Sequence, residues 1–265
     1  MGRSRTGNEG ADVTESAQPS PEAANAPLED VRFRSDVTVE LVKAQARDSD
    51  VLFAARVSTA GEQSLDQVGS DASGSAGLIN FLMRDRHGSP FEHNQFTFFI
   101  SAPIFVFREF HRHRTFSYNE ESGRYRRLEP VFYVPGPERK LVQEGKPGRY
   151  VFVDGTPEQH KLVDEATRRV CFEAYRAYLE MLEAGVAREV ARGVLPVSIF
   201  SSMYATCNAR ALMHFLSLRT KREDSAFPSF PQREIEMVAE RMEEFFAREM
   251  PLTHAAFNRN GRVAP

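Results

Sequence analysis

The chain has 265 residues, 41% of them hydrophobic, with a formal net charge of -3 and a pI near 6.2. That is enough apolar material for one sizeable core, and the mildly acidic balance argues against a general nucleic-acid binder. No apolar run approaches the roughly twenty residues that cross a bilayer, and no apolar segment follows the N-terminus as a secretory leader would, so a cytoplasmic protein without a membrane partner is expected.

Residues 1–30 are rich in Ala, Pro, Glu, Ser and Gly and nearly devoid of large apolar side chains, which predicts a disordered tail ahead of one folded domain over 31–265. Alternation over residues 37–42 predicts a strand, and Asp48 or Ser49 is placed to cap a helix through Arg56. The Gly, Ser and Asp of 61–77 predict a mobile loop, followed by a helical stripe of Leu78, Ile79, Leu82 and Met83. Phe96, Phe98 and Ile100 form one face of a strand, and Pro103 opens a helix from Ile104 to about His111, which presents the residues after it at a helix end and on the loop beyond. Leu162, Ala166, Val170, Ala174, Tyr178 and Leu182 recur at every fourth position, predicting one long helix over 157–184 that Gly185 stops. Residues 198–206 read as extended, 208–220 as a helix with Leu212, Phe215 and Leu216 inward, and 232–250 as an amphipathic final helix. Helices interspersed with non-adjacent strands predict an α+β architecture. Cys171 and Cys207 lack metal-ligand spacing and lie in apolar patterns, so they read as core thiols rather than a disulfide.

Residues 112–125, RHRTFSYNEESGRY, crowd guanidinium, imidazole, hydroxyl, amide and carboxylate groups with little that could fill a core. The arginine forks suit phosphate or a carbonyl-rich ring, and Ser117, Asn119 and Ser122 add neutral hydrogen-bond partners. The bland alternative is a solvated face whose arginines pair with Glu109, Glu120 and Glu121. His87, His93, His111 and His113 do not make a convincing metal site, because His113 lies between two arginines whose charge opposes a cation; no metal is expected. Neither glycine-rich phosphate loop occurs, so phosphates have to be met by side chains.

Arg112-His113-Arg114, seven residues and then Ser122, with Ser117, Asn119, Glu120, Arg124 and Tyr125 in place, resembles the signature of the flavin-dependent thymidylate synthases. Further agreement lies in 54–58 (AARVS), 87–93 (HGSPFEH), 103–106 (PIFV), 188–192 (REVAR) with Leu195-Pro196, and 208–210 (NAR) through Arg219. The resemblance implies a curved antiparallel or mixed sheet flanked by helices, in a homotetramer with active sites at subunit interfaces. It implies FAD as cofactor, and reductive methylation of 2′-deoxyuridine monophosphate (dUMP) to dTMP. The implied carbon donor is 5,10-methylenetetrahydrofolate, and the reductant is NADPH. It places Ser89, Arg112, His113, Arg114, Glu120, Asn208, Ala209, Arg210 and His214 near the flavin. Around dUMP it places Glu109, Phe110, His111 and Arg112 of one subunit and Glu120, Glu121, Ser122, Gly123 and Arg124 of another, joined by Arg192 and Arg219. Arg219 takes the catalytic part, its fork facing the uracil N3 and O4 edge where negative charge builds. No histidine–carboxylate relay can be assigned to Ser122, and an unassisted serine is a weak nucleophile. Relatives carry Gln or Glu at Glu109, and the segment between Arg219 and Gln232 looks longer than in compact relatives, so no roles are carried onto it.

Overall fold

The computed structural model describes residues 30–67, 75–146 and 149–265. In chain order its strands are β1 (Arg32–Arg34), β2 (Thr38–Gln45), β3 (Gln95–Pro103), β4 (Ser117–Glu120), β5 (Val131–Tyr133), β6 (Val142–Lys146), β7 (Arg149–Val153) and β8 (Phe200–Cys207). Its helices are α1 (Asp48–Ala60), α2 (Ser75–Arg84), α3 (Ile104–Phe110), α4 (Pro157–Glu183), α5 (Arg188–Ala191), α6 (Ala209–Arg219), α7 (Arg233–Glu249) and α8 (Pro251–Arg259). The architecture is mixed α+β, as the pattern of elements predicts. The tail expected over 1–30 lies outside the described residues except for Asp30, as do 68–74 of the predicted loop; the described parts of that loop are a 3-10 helix, Gly61–Gln67, and the first residues of α2, from Ser75 to Gly77.

The central sheet is antiparallel in the order β2-β3-β8-β4. Phe96, Phe98 and Ile100 form the inward face of β3, each 0% exposed, and α7 covers them: Phe246 meets Phe96 edge-on at 6.1 Å, with Phe245 tilted against Phe98 at 6.2 Å. Each such ring contributes about 1.5–3 kcal/mol by leaving water. The predicted stripe of α2 also holds, with Ile79, Leu82 and Met83 buried. So does that of α6, whose Leu212, Phe215 and Leu216 are 0% exposed.

Four expectations need correction. Asp48 does not cap its own helix: it is buried, and its carboxylate accepts from the backbone N–H groups of Leu252 (2.9 Å) and Thr253 (2.8 Å) at the start of α8, while Asp50 accepts from Arg47 N. The first turn of α8 thus gains a cap from the opposite end of the chain. The predicted core stripe of α4 holds only in part. Tyr178 is buried as expected, but Leu162 and Val170 are exposed and Cys171 and Tyr175 are buried in their place, because a repeat of four outruns a helix with 3.6 residues per turn and drifts around it. Helix α7 is not the last, since α8 follows after Met250, with Pro251 in the favoured first position. Finally, β4 runs through the middle of the signature, where a continuous loop is the natural reading of so polar a sequence; its backbone pairs with β8, Ser117 opposite Thr206 and Glu120 opposite Met203.

Candidate active site

Helix α3 buries Val106, Phe107 and Phe110 and leaves Glu109 on its other side. A tight turn follows, with Arg112 N donating to Glu109 O (3.2 Å) and His113 N to Phe110 O (2.8 Å). The turn sends alternate side chains in opposite directions. Arg112 and Arg114 are exposed and make no ion pair with any described residue, whereas the ring between them, His113, is 9% exposed and packs edge-on against Phe215 at 4.9 Å. The bland expectation of arginines neutralised by Glu109, Glu120 and Glu121 therefore fails for these two.

Glu109 instead pairs with Arg219, the last residue of α6, whose Nη1 donates to Glu109 Oε2. Arg219 Nε donates to His113 Nε2 at 3.0 Å. A guanidinium can only donate, so Nε2 is an acceptor and His113 is the neutral tautomer protonated on Nδ1. Burial first, then the neighbouring charges of Arg219 and His214, lower the His113 pKa to about 4. Burial also pushes the Glu109 carboxyl above its ordinary range; the Arg219 charge opposes this and Glu234 adds to it. Phe110 lies within this segment, but its ring is fully buried and stacked on Phe215 at 4.6 Å, so it supports the site from below.

The second group lies on the strand side. Glu120 accepts from Ser201 Oγ at 3.0 Å, and Glu121 pairs with Arg126 at 3.0 Å. Gly123 allows a close approach: a Cβ there would lie 3.3 Å from Arg192 Cδ and 3.1 Å from Leu128 Cδ1. Arg192 is exposed rather than a buried structural arginine, and it lies over the signature loop. Arg124 Nε donates to Glu189 at 2.8 Å, and Ser122 Oγ accepts from Arg124 N at 3.3 Å. A cleft of about 420 Å³ opens beside Asn119, Glu120, Glu121, Arg126 and Tyr204. Among the described residues, no hydrogen bond or ion pair joins residues 121–124 to the Arg219 cluster.

The third group gathers at the start of α6. Asn208 caps the helix, its Oδ1 accepting from Ala211 N (2.9 Å), and Asn94 Oδ1 accepts from the buried Ala209 N (2.7 Å). These two residues therefore shape the helix start, with their main acceptor and donor already satisfied. Arg210 pairs with Glu92 and reaches across the backbone of Gly88; a Cβ on Gly88 would lie 2.5 Å from Arg210 Cζ. Ser89 is exposed next to it, as is His214 one turn further along α6, whose pKa is lowered by partial desolvation of its ring and by the charge of Arg210.

Comparison with known proteins shows the family. The family profile described as "Thymidylate synthase complementing protein" matches residues 40–252. A flavin-dependent thymidylate synthase of Streptomyces coelicolor is 71% identical over 236 residues, covering 89% of this chain and 96% of that protein. The chain belongs to the flavin-dependent thymidylate synthase family. A second member, from Tropheryma whipplei, is 59% identical over 234 residues, covering 88% of this chain and 97% of its own. Among solved structures, the UMP/dUMP methylase PolB from Streptomyces cacaoi bound with 5-Br dUMP is similar at TM-score 0.84 and 56% identity, over 89% of this chain and 100% of that one.

The residues present fit a flavin. Exposed Arg112 and Arg114 offer uncommitted forks, and the bare backbone of Gly88 keeps Arg210 close to Ser89 and His214. His113 fits less well as a direct contact, because its ring is buried and Nε2 is committed to Arg219. Glu92, Asn94 and Glu189 escaped the sequence reading as individual residues, since the contacts that matter are with residues far along the chain. No helix among the described residues is long and apolar enough to cross a membrane.

Proposed function

We propose that this chain methylates dUMP to dTMP, with 5,10-methylenetetrahydrofolate as carbon donor and NADPH as reductant. The observation that carries the reading is the fork of Arg219 at the C-terminal end of α6, anchored on one side by neutral His113 and on another by Glu109. Bound FAD would supply the redox chemistry. Ser89, Arg112, Arg114, Arg210 and His214 would hold it, with Asn208, Ala209, Glu120 and His113 supporting them.

Within this reading the protein orients and stabilises. Arg219 directs a planar cation at the N3 and O4 edge of the pyrimidine, where negative charge builds as the ring is activated. Glu109, whose carboxyl burial raises, can accept or return a proton at Oε2 beside that edge. His111 and Arg112 at the end of α3, Arg192, and Glu121, Ser122, Gly123 and Arg124 of the loop would enclose the nucleotide and its phosphate. The family resemblance implies a homotetramer in which one subunit's loop completes another's site.

The test is direct. The purified protein, loaded with FAD, should convert dUMP to dTMP with the folate and NADPH, and NADPH should bleach the flavin faster when dUMP is present. A protein that takes up no flavin on reconstitution would sink the reading.

A further inference from the structure

Arg262 lies outside every motif identified in the sequence, yet it is 3% exposed. It stands just beyond α8, where Gly261 N donates to Asn258 O (3.1 Å) and Arg262 N to Phe257 O (2.9 Å), the two bonds of a glycine-terminated helix end. Gly261 has φ 70° and Arg262 φ 56°, a left-handed conformation that suits the glycine and is uncommon for an arginine. The contacts of the side chain hold it there. Nη1 donates to Glu243 Oε1 at 2.7 Å, Nη2 to Glu243 Oε2 at 2.9 Å, and Nη2 also to Thr220 Oγ1 at 2.9 Å.

Thr220 directly follows Arg219. It is 1% exposed; its hydroxyl donates to Leu216 O (2.7 Å) and its carbonyl accepts from Ser229 Oγ (2.6 Å). The end of α6 is thus tied to α7 and α8 through one guanidinium. Arg219's own bonds to His113 and Glu109 fix its tip from the α3 side, but a long side chain keeps its direction only when its backbone is fixed as well.

We propose that Arg262 is a positioning residue for the reaction: acting through Thr220, it sets the end of α6 so that the Arg219 fork faces the nucleotide. This rests on the reading of Arg219 as a substrate-facing group. A bidentate pair with Glu243, with a further bond from Nη1 to Asn258 Oδ1, leaves the Arg262 fork few alternative orientations, so its hydrogen bond to Thr220 acts as a rigid strut.

Two variants probe the strut without removing the buried pair. Thr220→Val keeps the shape and deletes the Oγ1 acceptor. Arg262→Lys keeps a charge against Glu243 but cannot serve both of its oxygens and Thr220 at once. Both are measured as FAD-loaded enzyme, with turnover normalised to bound flavin. Each should lower kcat on the order of tenfold, since small misplacements remote from the chemistry carry penalties of that size or larger. Thr220→Val should leave flavin affinity unchanged, and the double variant should be no slower than the slower single variant. In an Arg219→Lys background, Thr220→Val should cause no further loss. Unchanged kcat per flavin-loaded site, with only a lower melting temperature, would make Arg262 purely structural and overturn the proposal, as would losses that multiply in the double variant. High activity in Arg219→Lys alone would remove the reading of Arg219 itself, and this proposal with it.

Discussion

Arg219 Nε donates to His113 Nε2 at 3.0 Å, joining the last residue of one helix to the second residue of the signature and requiring that the imidazole be neutral. The hydrogen bond places a cation beside a buried ring that would itself become cationic if protonated, so the arrangement exists in only one protonation state.

Replacing Arg219 by Lys tests the fork. A lysine supplies a point charge that cannot serve both His113 and Glu109 while facing a planar ring edge. Turnover should fall on the order of 100-fold with the fold and bound flavin retained, checked by steady-state kinetics alongside circular dichroism.

The lowered pKa of His113 has a definite sign in stability. The unfolded chain takes up a proton near the ordinary value of 6.5, and the folded protein does so only near 4. The contribution of this group is therefore complete above pH 6.5 and is lost progressively as pH falls towards 4. Denaturant titrations across that window should show this loss. His113→Gln, with an amide oxygen that can still accept from Arg219, should flatten it; an unchanged slope would contradict the assignment.

Gly88→Ala should weaken flavin binding. The added Cβ would lie 2.5 Å from Arg210 Cζ, so the guanidinium has to leave its place beside Ser89 and Glu92. A loss of about tenfold in flavin affinity, corresponding to about 1.4 kcal/mol, is expected from fluorescence titration.

The cysteines should be dispensable for the reaction. Cys207 is buried on β8, and burial pushes its thiol well above the ordinary range; Cys171 is also buried, its pKa raised by desolvation, with Sγ 3.6 Å from Ser198 Oγ. Protonated thiols are poor nucleophiles. Flavin-loaded protein in which Cys171 and Cys207 are both alanine should form dTMP within a few-fold of the parent, as modest packing changes allow. An inert but folded double variant would place a thiol in the mechanism.

Removing residues through Leu28 should leave turnover and flavin binding unchanged, because that composition supplies no core and the family match begins at residue 40. A truncated protein that assembles but does not turn over would give the tail a role at the active site.

The sequence by itself determined the elements whose pattern is local. The alternation of Phe96, Phe98 and Ile100, the inward stripe of α6 and the signature residues are written in short stretches, and short stretches are what residue spacing can encode. The family was legible for the same reason, since the spacing from Arg112 to Ser122 is fixed within one segment. Only the tertiary structure decided which partners those groups have. Asp48 caps a helix that begins at Pro251, Arg192 lies over Gly123, and Arg262 reaches Thr220. Polar β4 became a strand because β8 offered backbone partners, which no side-chain pattern announces. The protonation state of His113 likewise depends on burial and on an arginine 106 positions away, two quantities that exist only once the chain has folded.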